Sequence, residues 1–244
     1  MKLTLTAGLA AAAILAACPA SACGGGKALF SDDFKQVDAS WGFDSPDVQV
    51  EEGKVKVKPQ PDISNLLVYK GLLFGDADYC LTVRTPNKLG DNDNTMAGPI
   101  FWAKDYDNYY MFMITPSGFA EVARKVDGKF ITVVDWKQVA DVKRPPGSNN
   151  VLEVRTLGSD IAVFINDAPF ATLKGQAPDG GGQIGMRAQS EKSQVDTWKF
   201  SQLAVYAVPG SATATPPSGP APATVAPRAP DAAGQTPPQP PAKP

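Results

Sequence analysis

Residues 105–136 read DYDNYYMFMITPSGFAEVARKVDGKFITVVDW, and this stretch decides the fold. It holds three runs rich in aromatic and β-branched residues, at 109–114, 120–126 and 130–136. An Asp-Gly pair at 127–128, a strong turn signal, separates the last two runs. Such runs joined by short turns predict consecutive antiparallel strands.

The same pattern continues over most of residues 27–208. Apolar and polar residues alternate at 48–51 and 55–58, which predicts strands with one face in water. Outside the first 22 residues no apolar stripe has the 3.6-residue period of a helix over ten positions. We therefore predict an all-β sandwich or barrel of about 12–14 strands. The other predicted strands are 79–84, 100–103, 151–155, 161–165, 170–173, 184–188 and 197–206.

The composition excludes several classes of function. The chain has 244 residues, a formal net charge of −2 and no histidine. Without histidine it cannot use Ser-His-Asp or Cys-His catalysis, and it cannot bind metals through imidazole. The acidic balance, with no cluster of lysine and arginine in the sequence, indicates that nucleic acid is not a partner.

The first 22 residues are typical of a bacterial export signal. Met1-Lys2 precedes an apolar run over 3–17, which is too short to span a bilayer. Two cleavage signals overlap at its end. Leu-Ala-Ala-Cys at 15–18 resembles a lipobox, in which Cys18 is lipidated, whereas Ala-Ser-Ala at 20–22 resembles an ordinary signal-peptidase site. Both predict export, to the periplasm or to the outer membrane, and membrane contact only through a lipid anchor.

A second non-globular segment follows at residues 209–244, where proline and alanine dominate. Such a segment has little apolar surface to offset the entropy cost of ordering, so we predict a disordered tail with polyproline II character. It is either a spacer or Pro-rich ligand in the envelope, or an inert solubilising tail. The folded domain is then expected at residues 23–208.

Three cysteines, Cys18, Cys23 and Cys80, fit an oxidising compartment. If Cys18 is lipidated or removed with the signal, an even pair remains, and Cys23 is expected to form a disulfide with Cys80. The alternative is a free Cys80 that packs as a small hydrophobic residue.

Several segments resemble concanavalin A-like jelly rolls of the laminin-G and laminarinase type. Leu-Phe-Ser-Asp-Asp-Phe at 29–34, followed by Trp41, resembles their opening, and 105–110 resembles their central hairpin. The resemblance implies a concanavalin A-like jelly-roll β-sandwich of two antiparallel sheets, distantly similar to 3-keto-disaccharide hydrolase-like domains. The remaining matching segments are 150–154, 163–166, 182–186 and 195–200.

The resemblance also bears on catalysis, because laminarinase-type members carry a Glu-x-Asp-x-x-Glu run on one strand. None of the five glutamates in this chain belongs to such a run. A non-catalytic protein is therefore expected, and a hydrolase with aspartates drawn from separate strands stays as an alternative. The glutamates are Glu51, Glu52, Glu121, Glu153 and Glu191.

Lectin-like members usually bind ligands on the concave sheet, where aromatic rings and polar groups contact sugars. The candidates here are Trp102, Tyr110, Arg124 and Trp136, on the central strands. The alternative is that these side chains belong to the core between the sheets. Strand register, which the sequence does not reveal, decides which face each side chain occupies.

The resemblance further implies one structural calcium ion on the convex side. The matching oxygen donors are the carboxylates of Asp33 and Asp196 and the carbonyl of Gly53. The alternative is that Asp33 caps a turn and that Asp196 pairs with a lysine.

Together these features predict an exported, non-catalytic binding module of the bacterial cell envelope, for a glycan or another envelope component. One alternative is a structural or interaction lipoprotein that acts through its Pro-rich tail. A less favoured alternative is a glycoside hydrolase-like enzyme.

Overall fold

The structure is a computed structural model that describes residues 23–43, 45–89 and 94–208. The predicted export signal, the lipidation site at Cys18 and the predicted tail lie outside the described residues. Among the described residues there are fourteen strands and one short 3-10 helix, Ala39–Trp41. No helix in this part of the chain has the length and apolarity needed to cross a bilayer.

The strands, numbered in chain order, confirm the predicted all-β fold and fall within the predicted number. They are β1 (Ala28–Asp32), β2 (Val48–Glu51), β3 (Lys54–Val57), β4 (Ser64–Phe74), β5 (Ala77–Arg84), β6 (Met96–Asp105), β7 (Asn108–Ile114), β8 (Phe119–Val126), β9 (Lys129–Gln138), β10 (Asn149–Leu157), β11 (Asp160–Ile165), β12 (Ala168–Lys174), β13 (Gly182–Gln189) and β14 (Trp198–Ala207).

All strand pairs are antiparallel, and they form two sheets. The larger sheet has eight strands in the order β12-β11-β10-β5-β14-β3-β2, with β1 also paired to β14. The smaller sheet has six strands in the order β4-β13-β6-β7-β8-β9. The non-consecutive neighbours, β13 between β4 and β6 and β14 between β5 and β3, are typical of a jelly roll, in which the chain crosses between the two sheets.

The hydrophobic core lies between the two sheets. Alternate residues of each strand point inward, so that Val55 and Val57 of β3 are buried while Lys56 between them is only partly buried. Large rings fill the layer, including Phe101, Phe112 and Trp198. The period-two pattern of the sequence therefore correctly predicts which face of these strands is buried.

The sequence pattern misses two strands, β1 and β4. Leu67 and Tyr69 of β4 face the core between the sheets, while Leu66 and Val68 pack in a second apolar cluster on the opposite face of the six-stranded sheet. Because both faces of this strand are covered, its central stretch at 66–69 is continuously apolar and lacks the alternation of a strand with one wet face.

The six-stranded sheet is strongly curved. Strands β13 and β9 are four strands apart, which corresponds to about 19 Å across a flat sheet. Nevertheless the guanidinium carbon of Arg187 on β13 lies 5.0 Å from the ring centre of Phe130 on β9. Arg187 alternates with Met186 and Ala188, which face the core, so it points away from the other sheet. This outer face, hereafter the concave face, therefore lies inside the curve.

A disulfide joins Cys23 to Cys80, whose Cα atoms are 5.9 Å apart. Cys80 lies on β5, in the middle of the eight-stranded sheet. The bridge therefore fixes the start of the described chain against the outer face of that sheet. It closes a loop with a sequence separation of 57 residues.

Candidate functional site

A buried acid and a buried base are the distinctive polar groups of the concave face. Glu121 on β8 is 0% exposed and Arg187 on β13 is 1% exposed. Around them lie the apolar side chains of the second cluster. The fully enclosed members of this cluster are Met96, Ile100, Ala103, Tyr109, Met111, Met113 and Ala123.

The strand register explains how the two groups come to share this face. Arg187 lies directly opposite Gly98 on β6, and Glu121 lies directly opposite Met113 on β7. A Cβ atom at position 98 would overlap the carbonyl oxygen of Phe112, which explains the need for glycine there.

Burial dominates the electrostatics of Glu121. Removal from water raises the pKa of its carboxyl group to about 8; Arg187 opposes the shift, and Asp135 adds to it. At neutral pH the carboxyl group is therefore mostly protonated and can donate a hydrogen bond as well as accept one. Neither of its oxygens has a hydrogen-bond partner among the described residues.

Arg187 is only partly satisfied. One terminal nitrogen donates to the hydroxyl of Ser64 at 2.8 Å and to the side-chain oxygen of Gln189 at 3.4 Å. The other contacts the sulfur of Met111 at 3.3 Å. Its Nε is buried and has no partner among the described residues. Buried polar atoms are rarely left unpaired in folded proteins, so the concave face has donors and acceptors that are still available for hydrogen bonds.

A β-bulge on β9 forms the wall beside Glu121. Ala120 pairs with Lys137 and Val122 with Val134, so that Asp135 and Trp136 together oppose the single residue Glu121. Trp136 is half-buried and packs on the second cluster. Since β9 is an edge strand, it is paired on one side only and can move without breaking a second ladder.

Aromatic rings and a lysine continue this wall. The rings of Tyr109 and Phe130 meet edge to face, 6.4 Å apart. The ammonium group of Lys125 lies 5.5 Å from the centre of the Phe130 ring and 3.2 Å from a carboxylate oxygen of Asp107. The concave face thus combines aromatic surfaces with polar groups, which is the combination that sugar rings require.

The structure corrects the predicted positions of three of the four ligand candidates. Trp102 is 2% exposed and lies in the core between the sheets, next to Phe101. Two consecutive residues face inward because Trp102 has a φ of 49° in an irregular part of β6. Tyr110 is also buried in this core, so of the four candidates only Trp136 lies on the concave face.

Tyr110 and Arg124 instead make contacts at the margin of the core. The hydroxyl of Tyr110 accepts hydrogen bonds from Arg124 at 3.3 Å and from the backbone N–H of Gln176 at 3.1 Å. Arg124 also donates to the side-chain oxygen of Gln176 at 3.2 Å. These bonds join β7 and β8 to the loop after β12, which is a structural role.

The predicted calcium ligands have other partners. The carboxylate of Asp33 accepts from the ammonium group of Lys35 at 2.7 Å. Both carboxylate oxygens of Asp196 accept from nearby donors, the backbone N–H of Glu191 at 2.9 Å and the amide of Gln194 at 2.7 Å. Gly53 does lie beside the backbone of Asp33. Within the described ranges no group of three or more acidic or cysteine side chains could hold a metal ion. This donor set does not fit calcium.

A second ionisable cluster lies on the outer face of the eight-stranded sheet, beside the disulfide. Burial raises the pKa of both the Asp78 and the Glu153 carboxyl groups, and a hydrogen bond that Glu153 donates to Asp78 raises the pKa of Glu153 further. Arg155 donates to Glu153 at 2.8 Å and to Asp78 at 3.3 Å. A sulfur of the disulfide, that of Cys23, lies 4.0 Å from Glu153. At neutral pH Glu153 therefore mostly keeps its proton, beneath the start of the described chain.

A groove of about 830 Å³ runs along the same outer face. Its polar side chains come from β5, β14 and the loop after β1, and the disulfide forms part of its wall. The polar lining includes Asp33, Lys35, Gln36, Thr82, Gln202 and Tyr206. The sequence did not single out this groove.

Glu121 and Arg187 are not among the site residues predicted from the sequence, where Glu121 appears only as one of the glutamates outside a catalytic run. One local signal was available. In AEVAR, at 120–124, a lone acid alternates with Ala120 and Val122, which face the core. When a single acid alternates with core-facing apolar residues on a central strand, it indicates a polar group on the opposite face of the sheet.

Comparison with known proteins bears on the fold. No protein-family model matches the sequence, and no curated protein matches it. Solved structures do match. The carbohydrate-binding module CBM66 of Bacillus subtilis has a TM-score of 0.51 and 13% identity, over 63% of this chain and 86% of that one.

Two further matches cover about three quarters of this chain. The β-glucanase of Bacillus licheniformis has a TM-score of 0.54 and 11% identity, over 76% of this chain and 100% of that one. LamAcat of Zobellia galactanivorans has a TM-score of 0.53 and 12% identity, over 74% and 98%. These neighbours confirm the predicted concanavalin A-like jelly roll. At such identities the likeness is one of fold.

Proposed function

We propose that this protein is an exported, non-catalytic glycan-binding module of the bacterial cell envelope, and that it binds through the concave face of the six-stranded sheet. The observation that carries the proposal is the pair of buried, unsatisfied groups in that face. The carboxyl group of Glu121 and the Nε of Arg187 have no hydrogen-bond partners among the described residues. Sugar hydroxyls donate and accept hydrogen bonds, so they can satisfy both groups.

The wall on β9 supports the same ligand class. Phe130 and Trp136 are half-buried, so each keeps part of its ring accessible for stacking against a sugar. Glu121 is fully buried in the structure, and a hydroxyl reaches it when the bulged edge strand β9 moves outward. Such movement is local, since β9 pairs only with β8.

The structural neighbours support a glycan as the ligand. One is a carbohydrate-binding module, one is a β-glucanase, and another is LamA solved with laminaritriose and laminaritetraose. We therefore propose a β-glucan or a related envelope polysaccharide as the ligand class for this chain. A fold shared at low identity supports this choice of class and leaves the particular sugar to experiment.

The absence of the catalytic run supports a non-catalytic role. If Glu121 were the first residue of Glu-x-Asp-x-x-Glu, Ala123 and Val126 would occupy the positions of the other two acids. Neither can move a proton or attack a sugar carbon. Export is supported by the signal-like residues 1–22 and by the disulfide, which is typical of oxidising compartments.

One observation favours a second function, glycoside hydrolysis. A carboxyl group whose pKa is raised to about 8 by burial is protonated at neutral pH, as a general acid must be. Asp135, opposite Glu121 across the bulge, is the second carboxylate that such a mechanism needs. Glu121→Gln separates the two functions, because glutamine keeps the hydrogen-bonding shape of the protonated acid but cannot release a proton.

Isothermal titration of the purified protein with laminari-oligosaccharides and with soluble β-1,3-1,4-glucan tests the proposal. We expect saturable binding that weakens at least about tenfold in Trp136→Ala, because a stacking surface is lost. The matched control is Phe164→Ala, a half-buried ring on the other sheet, and it should bind as the wild type does.

Three outcomes decide between the functions. Binding lost in Trp136→Ala and kept in Glu121→Gln, with no sugar released, supports the non-catalytic module. Sugar release by the wild type that stops in Glu121→Gln supports the hydrolase. If no glycan on a broad array binds, both the glycan-binding and the hydrolase functions are contradicted. The alternative role through the Pro-rich tail is then tested by deleting residues 209–244 and measuring whether partner capture is lost.

A further inference from the structure

The outer face of the eight-stranded sheet carries three cations in one row. Lys199 on β14 lies directly opposite Arg84 on β5 and directly opposite Lys56 on β3. Residues directly opposite in an antiparallel pair point to the same face, and their Cβ atoms lie about 5 Å apart. Val83 and Phe200, the chain neighbours of Arg84 and Lys199, face the core, so the row faces outward. We call it the cationic row.

This arrangement is unfavourable unless something neutralises it. Like charges directly opposite each other destabilise a sheet. The acid found in the row's surroundings is Glu51, whose exposed carboxylate lies 3.5 Å from the ammonium group of Lys56. Across the described parts of the chain no acidic side chain lies within ion-pair distance of Arg84 or Lys199. The protein as a whole is acidic, with a net charge of −2, so the concentration of positive charge here is local.

The row forms the floor of a groove of about 310 Å³. Two loops supply the walls, one with Lys88 and Asn87 and the other with Thr197. Three of the four cations in the groove are half-buried rather than fully extended into water. The Nε of Arg84 is buried and has no hydrogen-bond partner among the described residues, which leaves a charged donor unsatisfied at this site.

We propose that the cationic row binds a tetrahedral oxyanion, the phosphate or sulfate monoester of a larger ligand. The guanidinium of Arg84 offers paired donors that match two oxygens of such a group, while Lys56, Lys88 and Lys199 supply positive charge around it. The small volume fits one such group with its attachment point. The site lies on the opposite sheet from the concave face, so it goes beyond the proposed function and does not depend on it.

Lys199→Gln tests the proposal, because it removes the central charge of the row and leaves its neighbours. Thermal melts are compared in sodium phosphate, sodium sulfate and sodium chloride at equal ionic strength, so that general screening is the same. We expect phosphate and sulfate to raise the melting temperature of the wild type above that in chloride, since an ion that binds the folded state stabilises it.

The variant should respond in two ways. In chloride, Lys199→Gln should melt at or above the wild-type temperature, because repulsion within the row is relieved. In phosphate, its additional stabilisation should be lost, and its affinity for inorganic phosphate should fall about tenfold or more. Lys104→Gln is the matched control: it removes one exposed lysine from the other sheet and should keep the full phosphate effect.

Two further arms identify the source of the oxyanion. Glucose 6-phosphate against glucose tests a charged sugar, and vesicles with phosphatidic acid against vesicles of phosphatidylcholine alone test a lipid headgroup. Binding of either charged probe that weakens in Lys199→Gln and not in Lys104→Gln supports the site and names its source. The proposal is overturned if phosphate and sulfate stabilise the wild type no more than chloride does, or if Lys199→Gln and Lys104→Gln respond to these ions alike, because both ions also stabilise proteins in general by exclusion from the surface.

Discussion

The concave face and the cationic row place charged groups in opposite kinds of surroundings. On the concave face an acid and a base are buried among apolar side chains, whereas in the cationic row three bases lie side by side at the surface. Burial keeps Glu121 protonated, so its carboxyl group can both donate and accept hydrogen bonds. The two faces therefore differ in what they offer a ligand: a buried hydrogen-bonding pair on one, and clustered positive charge in a groove on the other.

The largest expected effect on stability distinguishes a tryptophan in the core from one on the concave face. Trp102→Ala should lower the free energy of unfolding by about 3–5 kcal/mol, because it leaves a large cavity between the sheets. Trp136→Ala, on the concave face, should cost about 1 kcal/mol, because its ring is already partly in water. Urea unfolding measures both. Equal losses would mean that the two rings are not on different faces as described.

The next effect concerns the disulfide on the outer face. The double variant Cys23→Ser/Cys80→Ser should lose about 3 kcal/mol of unfolding free energy, since the unfolded chain regains the freedom of a long loop. Glycan binding at the concave face should persist in this variant when it is measured below the unfolding transition. If the folded variant no longer bound glycan, the disulfide on the outer face would be shown to affect the concave face.

The pH dependence of stability distinguishes the buried acid from the cationic row. The pKa of Glu121 is about 8 in the folded protein and ordinary in the unfolded chain, near 4.5, so the folded state holds its proton more tightly. Stability should therefore fall as the pH rises from about 4.5 to about 8, by up to about 1.4 kcal/mol per pH unit. The buried Glu153 contributes in the same direction.

Glu121→Gln isolates the contribution of the concave face to this slope. Chemical unfolding at several pH values should show a flatter dependence for the variant, with the remaining slope due to Glu153 and other groups. Lys199→Gln, a substitution on the other sheet, serves as the control and should leave the slope unchanged. A variant curve parallel to that of the wild type would show that Glu121 is ionised in the folded state.

The smallest expected effect concerns calcium. Because the carboxylates of Asp33 and Asp196 are engaged by Lys35 and by the loop before β14, we expect melting curves with calcium and with a chelator to coincide. A midpoint that rises with calcium and falls with chelator would restore the metal site that the resemblance implies.

The fold could be predicted largely because the signals are local. Alternation over 48–51 or 55–58 reports the buried face of a strand directly, and turn residues report its ends. The β4 strand was missed since it is covered on both faces, so alternation vanishes. The position of Trp102 was missed because an irregular backbone with positive φ changes which side chain faces inward, and the sequence does not mark it.

The candidate sites could not be predicted because they depend on non-local register. Glu121 and Arg187 come together only once β8 and β13 are placed in one curved sheet. In the same way, Lys56, Arg84 and Lys199 are isolated in the sequence and become neighbours through strand pairing. A one-residue slip in either sheet would move these side chains to the opposite face, and no local pattern fixes that register.

Tryptophan fluorescence gives the most direct test of glycan binding at the concave face. Trp41, Trp102 and Trp198 are at most 2% exposed, whereas Trp136 is half-buried, so acrylamide quenching reports mainly on Trp136. We expect a bound β-glucan oligosaccharide to protect the wild type from quenching and to leave Trp136→Phe unaffected. Binding that registers by calorimetry while quenching of the wild type stays unchanged would place the glycan elsewhere and contradict the account.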